Sequence, residues 1–515
     1  MNGAESLIRT LVDAGVDHCF ANPGTSEMHL VQAIDGTTGM RPVLCLFEGV
    51  CSGAADGYAR MTGRPAVTLL HLGAGFGNAT ANLHNARRAG SPIINLVGDH
   101  ARHHVAFDAP LTSDIEGIAR PFSAWVRTSR SAMGLARDGA DAVTAALTPH
   151  PVSTGQIATL AIPVDCAWGE GSGPVAVPKP QRPATVAGDR IEAVARQLDA
   201  QTLIMLDGSG LSAAGQMAAA RVAAATGCQV MAVTFPARTE QGPGLPPLAR
   251  LPYFPEQVIK TLAGVRRIVL AGAEAPVSFF AYPTTPSDLV PDGCEVLRLA
   301  LLQEDVVTAL EELASAVGAP GQPPQLNAVQ RPEGSTGALD TRKAAAVIAA
   351  TLPEQAIVAV DSGGGGAAAG LCQTAAPHTW LNLTGGAIGM GAPLAAGAAL
   401  ACPDRPVLAL LGDGGAMYTN QAFWTQAREG LKVGTVIFSN RQYKILEHEY
   451  RRLGVNEVGA RAASLFDIGG PDINWPALAG SMGVPGCRVE TAEDLASAIE
   501  RGFASDGPFL IEAMI

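Results

Sequence analysis

Aromatic residues make up only 5% of this 515-residue chain, and charged residues only 16%. Neither shortage implies disorder, because 47% of the residues are hydrophobic, enough to bury a sizeable core. Positive charge is in deficit as well. The balance of 35 Lys and Arg against 47 Asp and Glu leaves a net charge of −12, which argues against a nucleic-acid partner. No run of about 18 uninterrupted apolar residues occurs, so no membrane span is expected. Residues 1–15 lack a basic region followed by an apolar core and do not read as a signal peptide. Leu7, Ile8, Leu11 and Val12 instead share one side of an amphipathic helix. The nine cysteines include no CxxC pair, which speaks against a disulfide scaffold and for reduced thiols in a cytoplasmic enzyme. Glycine is what the chain has in excess: 59 residues, where average usage predicts about 36. Without collagen or linker periodicity, that excess points to tight turns and close backbone approaches.

Two stretches rich in proline and glycine, 169–183 and 318–337, have no hydrophobic periodicity and read as linkers. They leave blocks at 1–168, 184–317 and 338–515, consistent with about three domains of roughly 150 residues. Each block alternates short β-branched runs with longer Ala-rich helical patterns. The runs 66–70, 93–97, 157–162, 202–206, 267–271, 357–360, 407–411 and 434–438 predict strands. Apolar strands separated by helices imply parallel sheets covered on both faces. The expected fold is α/β, with three doubly wound parallel-sheet domains. Ligands of such sheets bind beyond the carboxyl ends of the strands.

The run 407–411 ends in Gly412-Asp413-Gly414-Gly415, and the run 434–438 ends in Ser439-Asn440-Arg441-Gln442-Tyr443. Asp413 and Asn440 are 27 positions apart, close to one strand–helix–strand crossover of roughly 30 residues, so their side chains can meet at neighbouring strand ends. A carboxylate, an amide carbonyl and a main-chain oxygen are hard ligands that suit octahedral Mg²⁺, with diphosphate and water completing the shell. The glycines let backbone approach phosphate, and the helix N-terminus that follows favours negative charge.

This pattern resembles the thiamine-diphosphate motif of the superfamily of pyruvate decarboxylases, acetolactate synthases and benzoylformate decarboxylases. The resemblance implies that Asp413, Asn440 and the main-chain oxygen of Gln442 bind Mg²⁺. It also implies cofactor contacts from Gly412, Gly414, Gly415 and Tyr443. Ser439 departs from the pattern, since most of the superfamily has a second Asn there.

Thiamine chemistry needs a carboxyl group beside the aminopyrimidine, to promote the tautomer that takes the C2 proton. Glu48 lies in the apolar Leu44-Cys45-Leu46-Phe47-Glu48-Gly49-Val50, just before the helix-like 52–60. Phe47-Glu48 followed by GAADGYAR resembles the segment that carries the superfamily's cofactor-activating glutamate. Asn22-Pro23-Gly24-Thr25-Ser26-Glu27 resembles the benzoylformate decarboxylase turn NPGSxE, with Thr25 at the substrate-contacting serine. His71-Leu72-Gly73-Ala74-Gly75-Phe76-Gly77-Asn78 resembles that family's HSxxGTGN turn. It implies proton transfer by His71 and a place near the pyrimidine for Asn78. Leu383-Thr384-Gly385-Gly386-Ala387-Ile388-Gly389 resembles the GGxG turn under the cofactor, with the Gly386 carbonyl on the 4′-amino group and Ile388 as the apolar wedge. Gly363 and Gly364, in Asp361-Ser362-Gly363-Gly364-Gly365-Gly366, would meet the diphosphate through the main chain.

Other features are weaker. His100, His103 and His104 have no carboxylate or cysteine constellation around them and read as an exposed loop. Gly208-Ser209-Gly210-Leu211-Ser212-Ala213 matches a loose dinucleotide pattern, but 230–235 lacks the acidic residue expected about 20 positions later. FAD, which acetolactate synthases bind in this domain, is therefore an option but not the favoured one.

The resemblance spans nearly the whole chain, yet the substrate positions differ from true acetolactate synthases. Phe47 and Gly49 flank Glu48 where a His and a Gln stand in those enzymes, and Pro110-Leu111 replaces a Phe-Gln pair. The benzoylformate-type pattern fits better, although Ala281 stands at its second His. Leu446 takes the place of a pyruvate decarboxylase Glu, and Glu447, His448 and Glu449 read as solvated helix surface. The resemblance implies decarboxylation of a small-molecule 2-oxo acid, with aldehyde release or carboligation. A non-decarboxylating C–C lyase or hydrolase and a cofactor-binding non-catalytic paralogue are the alternatives. The expected assembly is a homodimer or a dimer of dimers (a homotetramer), the first block of one subunit meeting the third block of another. Neither a nucleic acid nor a membrane is expected as a partner.

Overall fold

The computed structural model describes residues 1–150, 153–180, 182–455 and 457–515. The first sheet contains β1 (His18–Asn22), β2 (Arg41–Leu44), β3 (Ala66–Leu70), β4 (Ile93–Asp99), β5 (Trp125–Thr128) and β6 (Ile157–Pro163). Its strands are all parallel, in the order β2-β1-β3-β4-β6-β5. The middle of the chain supplies β7 (Thr202–Leu206), β8 (Gln229–Ala232), β9 (Arg238–Gln241), β10 (Ala249–Arg250), β11 (Arg267–Ala271) and β12 (Glu295–Ala300). Five of these pair in parallel as β10-β8-β7-β11-β12. The third sheet contains β13 (Ala356–Asp361), β14 (His378–Leu381), β15 (Val407–Gly412), β16 (Val433–Ser439), β17 (Gly486–Val489) and β18 (Phe509–Met514). Its order is β17-β18-β16-β15-β13-β14-β9, with β9 added antiparallel at the edge. All eight runs expected as strands are strands, because each is buried on both faces and so reads as a continuous apolar run.

The third sheet repeats the topology of the first, with β13 and β14 in the places of β1 and β2. In both, strand order reverses next to the first strand, and the loops that follow the two strands there open into one crevice. Those loops are Pro23–Glu27 and His71–Gly75 in the first domain, and Ser362–Gly366 and Gly412–Gly415 in the third.

The helices after β2 and β14, Glu48–Thr62 and Gly391–Ala401, are topological equivalents, and they pack against each other. Small residues set how closely. A Cβ added at Gly57 would lie 2.0 Å from the Leu394 carbonyl oxygen, and one at Gly397 would lie 1.8 Å from that of Ala54. The contact merges one face of each sheet into a shared core running from Phe20 and Tyr58 to Leu394 and Phe423.

Strand β9 ties the three domains together. Its backbone lies in the third sheet, and Arg238 Nη1 donates to the Arg60 and Met61 carbonyls at the C-terminal end of helix Glu48–Thr62. Glu240 Oε2 accepts from Ala213 N at 2.9 Å, at the start of the middle-domain helix Ala213–Thr226. Each charge faces the helix end whose dipole it complements.

Candidate active site

Glu48 is the first residue of its helix, entered from Phe47 in an extended conformation. Only 5% of it is exposed. Its Oε2 accepts from Asn78 Nδ2 at 3.0 Å, and Gly75 leaves room for Oε1, since a Cβ there would come within 3.0 Å of it. No Lys, Arg or His pairs with Glu48 among the described residues. The result is a desolvated carboxyl group aimed by one amide and free to exchange a proton.

His71 caps the helix Leu72–Ala89 directly after β3. The turn behind it is tight enough to force Leu72 to φ +49°, a left-handed backbone that costs a branched side chain energy. Glu27 Oε2 accepts from His71 Nδ1 at 2.8 Å, and Glu27 is fully buried. The same carboxylate accepts from Gly24 N and Ser26 Oγ, both at 2.7 Å. Gly98 makes its space, because a Cβ there would lie 1.8 Å from Glu27 Oε1. Gly24 does the same for the imidazole, whose Nδ1 would be 2.2 Å from an added Cβ. Glu27 thus holds the proton on Nδ1 and leaves Nε2 as the working nitrogen of a partly exposed ring. Sequence reasoning named Thr25 in this turn and missed Glu27. Thr25 is exposed and opens the short turn Thr25–Glu27, while Asn78 is exposed beside Glu48.

In the third domain, Asp413 and Asn440 stand at the ends of the paired strands β15 and β16. Asp413 is 5% exposed, and burial raises its carboxyl pKa above the ordinary aspartate value. Its oxygens accept only main-chain N–H groups among the described residues, from Gly414 at 2.8 Å and Arg441 at 2.6 Å. Arg441 adopts φ +55° to turn that N–H inward. Asn440 Oδ1 accepts from Gln442 N at 3.0 Å, so the two residues share one turn. Gly414 is required by the Tyr443 ring, 2.3 Å from where a Cβ would be. Gly412 caps the short helix Asp413–Ala416, which also contains Gly415. A buried carboxylate with no cation beside it, an amide one strand away and glycine backbone around them form a donor set that fits Mg²⁺ and a diphosphate. Among the described residues no group of three or more His, Cys, Asp or Glu could hold a metal, so a metal here depends on amide, main-chain and phosphate oxygens.

Two further loops complete this half. Gly363 and Gly364 form the first turn of helix Gly363–Leu371, capped by Ser362 Oγ, which accepts from Gly365 N at 2.9 Å. Gly363 has open space around it. The turn before helix Gly391–Ala401 is pinned by the buried Asp361, which accepts from Gly389 N at 2.7 Å and Gly391 N at 3.1 Å. Burial raises the Asp361 carboxyl pKa as well. Gly386 lies in this turn at φ +77° with Phe279 against it, and Ile388 stands over Gly415. The first domain props the same turn: Asn85 Nδ2 donates to the Ala387 carbonyl at 2.8 Å.

Within one chain, the side-chain hydrogen bonds of Glu48 and His71 stay inside the first domain, and those of Asp413 and Asn440 stay inside the third. Large apolar side chains are exposed near both halves: Leu46, Phe107 and Leu111 on one, Met417, Tyr418 and Ile445 on the other.

Other sequence candidates lie elsewhere. His100 and His104 stack loosely, 5.4 Å between ring centroids, in the turn after β4. Glu447 pairs with Lys444 and Arg451 of its own helix. Glu449 is not free surface, because Tyr282 Oη donates to it at 3.1 Å and Arg452 stacks on Tyr282. In the middle domain, the helix N-terminus where a dinucleotide diphosphate would dock already holds Glu240, so these residues do not fit FAD.

Residues 1–118 match the model of the thiamine pyrophosphate enzyme N-terminal TPP binding domain, and residues 362–513 match that of the C-terminal TPP binding domain. The chain belongs to the thiamine pyrophosphate enzyme family, and thiamine diphosphate is its cofactor. Within that family it is 48% identical to the "Putative acetolactate synthase large subunit IlvX" of Mycobacterium tuberculosis, over 100% of this chain and 99% of that protein. It is 28% identical to a benzoylformate decarboxylase of Pseudomonas aeruginosa, over 97% of this chain and 96% of that one. The solved structure of a Rhodococcus jostii thiamine diphosphate-dependent 4-hydroxybenzoylformate decarboxylase superposes with a TM-score of 0.84 at 26% identity, covering 99% of this chain and 98% of that one. No helix among the described residues is long and apolar enough to cross a membrane.

Proposed function

We propose that this protein is a thiamine-diphosphate- and Mg²⁺-dependent enzyme that decarboxylates a 2-oxo acid, then releases an aldehyde or joins the remaining carbon unit to a second carbonyl compound. The observation that carries this reading is Glu48: a buried carboxyl group without a cation, steered by Asn78, in a chain whose cofactor is thiamine diphosphate. When bound, the cofactor supplies a nucleophilic carbon and an electron sink for loss of CO₂.

This chain's residues supply the rest. Glu48 would exchange a proton with the aminopyrimidine, and Asn78 would keep its oxygen oriented. Asp413, Asn440 and the Gln442 main chain would hold Mg²⁺, while the glycine turns 363–364 and 412–415 would receive the diphosphate. Gly386 would offer the cofactor its carbonyl and Ile388 its apolar bulk. Tyr443 closes over Gly414 beside the metal loop, and Thr25 faces the substrate. His71, oriented by Glu27, moves protons to and from the reacting oxygen and carbon through Nε2.

The site is completed by a second copy of the chain, whose third domain faces the first domain of its partner. Among the described residues, Glu48 and His71 make no side-chain hydrogen bond to Asp413 or Asn440 of their own chain, and exposed apolar side chains flank both groups, which supports this. The test is reconstitution with thiamine diphosphate and Mg²⁺, followed by CO₂ measurement on a panel of 2-oxo acids. Release of CO₂ from at least one is expected. Turnover of acyloin or diketone substrates without CO₂ would replace this reading with a C–C lyase.

A further inference from the structure

A second cavity, of about 250 Å³, lies between the middle and third domains, behind the helix that carries the glycine turn. Strand β10 walls one side, and helix Gly363–Leu371 and strand β14 wall the other. Among the described residues, Arg250 is the only charged one that lines it, and no Asp or Glu does. That is unusual in a chain with a net charge of −12. Another cavity, of about 520 Å³ between the first and middle domains, sets Asp207 and Glu240 beside its arginines.

Arg250 makes one side-chain hydrogen bond among the described residues, from Nη1 to Asn382 Oδ1 at 2.9 Å. A guanidinium carries five N–H donors, so most of its capacity is unused. No carboxylate pairs with it among the described residues, and burial alone lowers its pKa, with no opposing charge to restore it. Two more lining residues carry unused donors. Among the described residues, Trp380 Nε1 and Thr239 Oγ1 are buried without a hydrogen-bond partner, and the residues are only 1% and 5% exposed. Unpaired donors in a dry interior are costly, and a half-buried cation without a counter-charge is costly too. The side-chain amides of Gln373 and Gln241 in the walls are already committed. The Gln373 amide is bonded twice to the Leu248 main chain, and Gln241 to His378.

We propose that this cavity is an anion-binding pocket for a small oxyanion, a carboxylate or a phosphate. Arg250 is its charged anchor, and the Trp380 N–H and Thr239 O–H are its neutral donors. Water could satisfy the two neutral donors but would leave the guanidinium unneutralised, whereas an oxyanion neutralises it and accepts from N–H and O–H donors alike. An occupant would join the edge of the middle domain to the helix carrying the glycine turn, since Gly366 lies beside Arg250 Nη2. The pocket is independent of which 2-oxo acid the enzyme uses.

The experiment uses the full-length holoenzyme, with thiamine diphosphate and Mg²⁺ saturating so that the cofactor's own anion site is filled. Inorganic phosphate and malonate are titrated separately, against chloride at equal ionic strength. At least one is expected to raise the melting temperature saturably beyond chloride, and the arm that does so identifies the oxyanion. Arg250→Met should lose that increment, with affinity weakened at least about tenfold. In chloride it should melt no lower than wild type, because a similar volume is filled without burying charge. Thr239→Val, which removes one donor at nearly constant volume, should weaken binding severalfold and decides the matter if Arg250→Met does not fold. A wild type that responds to neither anion, or an increment that survives these substitutions, overturns the proposal.

Discussion

Two carboxylates near the first-domain crevice divide the work by their surroundings. Glu48 is exposed to no cation and is steered by one amide, which suits proton exchange. Glu27 is saturated by three donors from Gly24, Ser26 and His71, which suits orientation. Glu27→Gln keeps the shape but no longer fixes the proton on His71 Nδ1. It should lower kcat about 10- to 100-fold and move KM little. An unchanged kcat in steady-state assays would remove Glu27 from the account. Residue by residue, the placement of Asp413 and Asn440 at neighbouring strand ends was legible, because apolar runs of the right spacing precede both. The role of Glu27 was not, since nothing in its turn shows that Gly98, distant in sequence, vacates space for its carboxylate. Arg250 was equally silent, because a lone arginine gives no sign that its carboxylate partner is absent.

At the scale of elements, the paired helices Glu48–Thr62 and Gly391–Ala401 set the distance between the first and third domains. Gly397→Ala would drive a methyl group into the Ala54 carbonyl and push Glu48's helix away. A loss of about 1–3 kcal/mol in denaturant unfolding is expected, as for other overpacked cores. The junction of β9 with β14 predicts a pH effect. His378 is buried there, its Nδ1 donating to the Ala376 carbonyl and its Nε2 facing Gln241, and burial pushes its pKa down to about 4. The unfolded chain binds that proton near the ordinary histidine value and the folded chain resists it. Stability is therefore full above pH about 6.5 and falls as pH drops toward about 4, by about 3 kcal/mol at most. His378→Gln should flatten this part of the profile, measured by denaturant unfolding between neutral and acidic pH. A slope identical to wild type would contradict it. The long apolar strands were readable because both faces are buried. The short edge strands β9, β10 and β17, of two to four residues, gave no such run, and β9 could not be assigned to the third sheet from its own residues.

For the whole molecule, the three α/β units follow from the alternation of apolar runs and Ala-rich helices. The repeated topology of the first and third sheets emerges only from strand order. Five of the 25 aromatic residues, Phe235, Tyr253, Phe254, Phe279 and Phe280, cluster where the middle domain meets the turn at Gly386. A site divided between chains requires association. Multi-angle light scattering should give a dimer or a dimer of dimers, and a monomer with full activity would exclude the shared site. The central claim is that Glu48 drives proton loss from the cofactor's C2 carbon, and isotope exchange at that carbon measures it most directly. With thiamine diphosphate and Mg²⁺ bound, C2 should exchange with deuterated solvent far faster than in free cofactor. Glu48→Gln should slow that exchange by about 10²-fold or more while the cofactor stays bound. Exchange at the wild-type rate in Glu48→Gln would contradict the account.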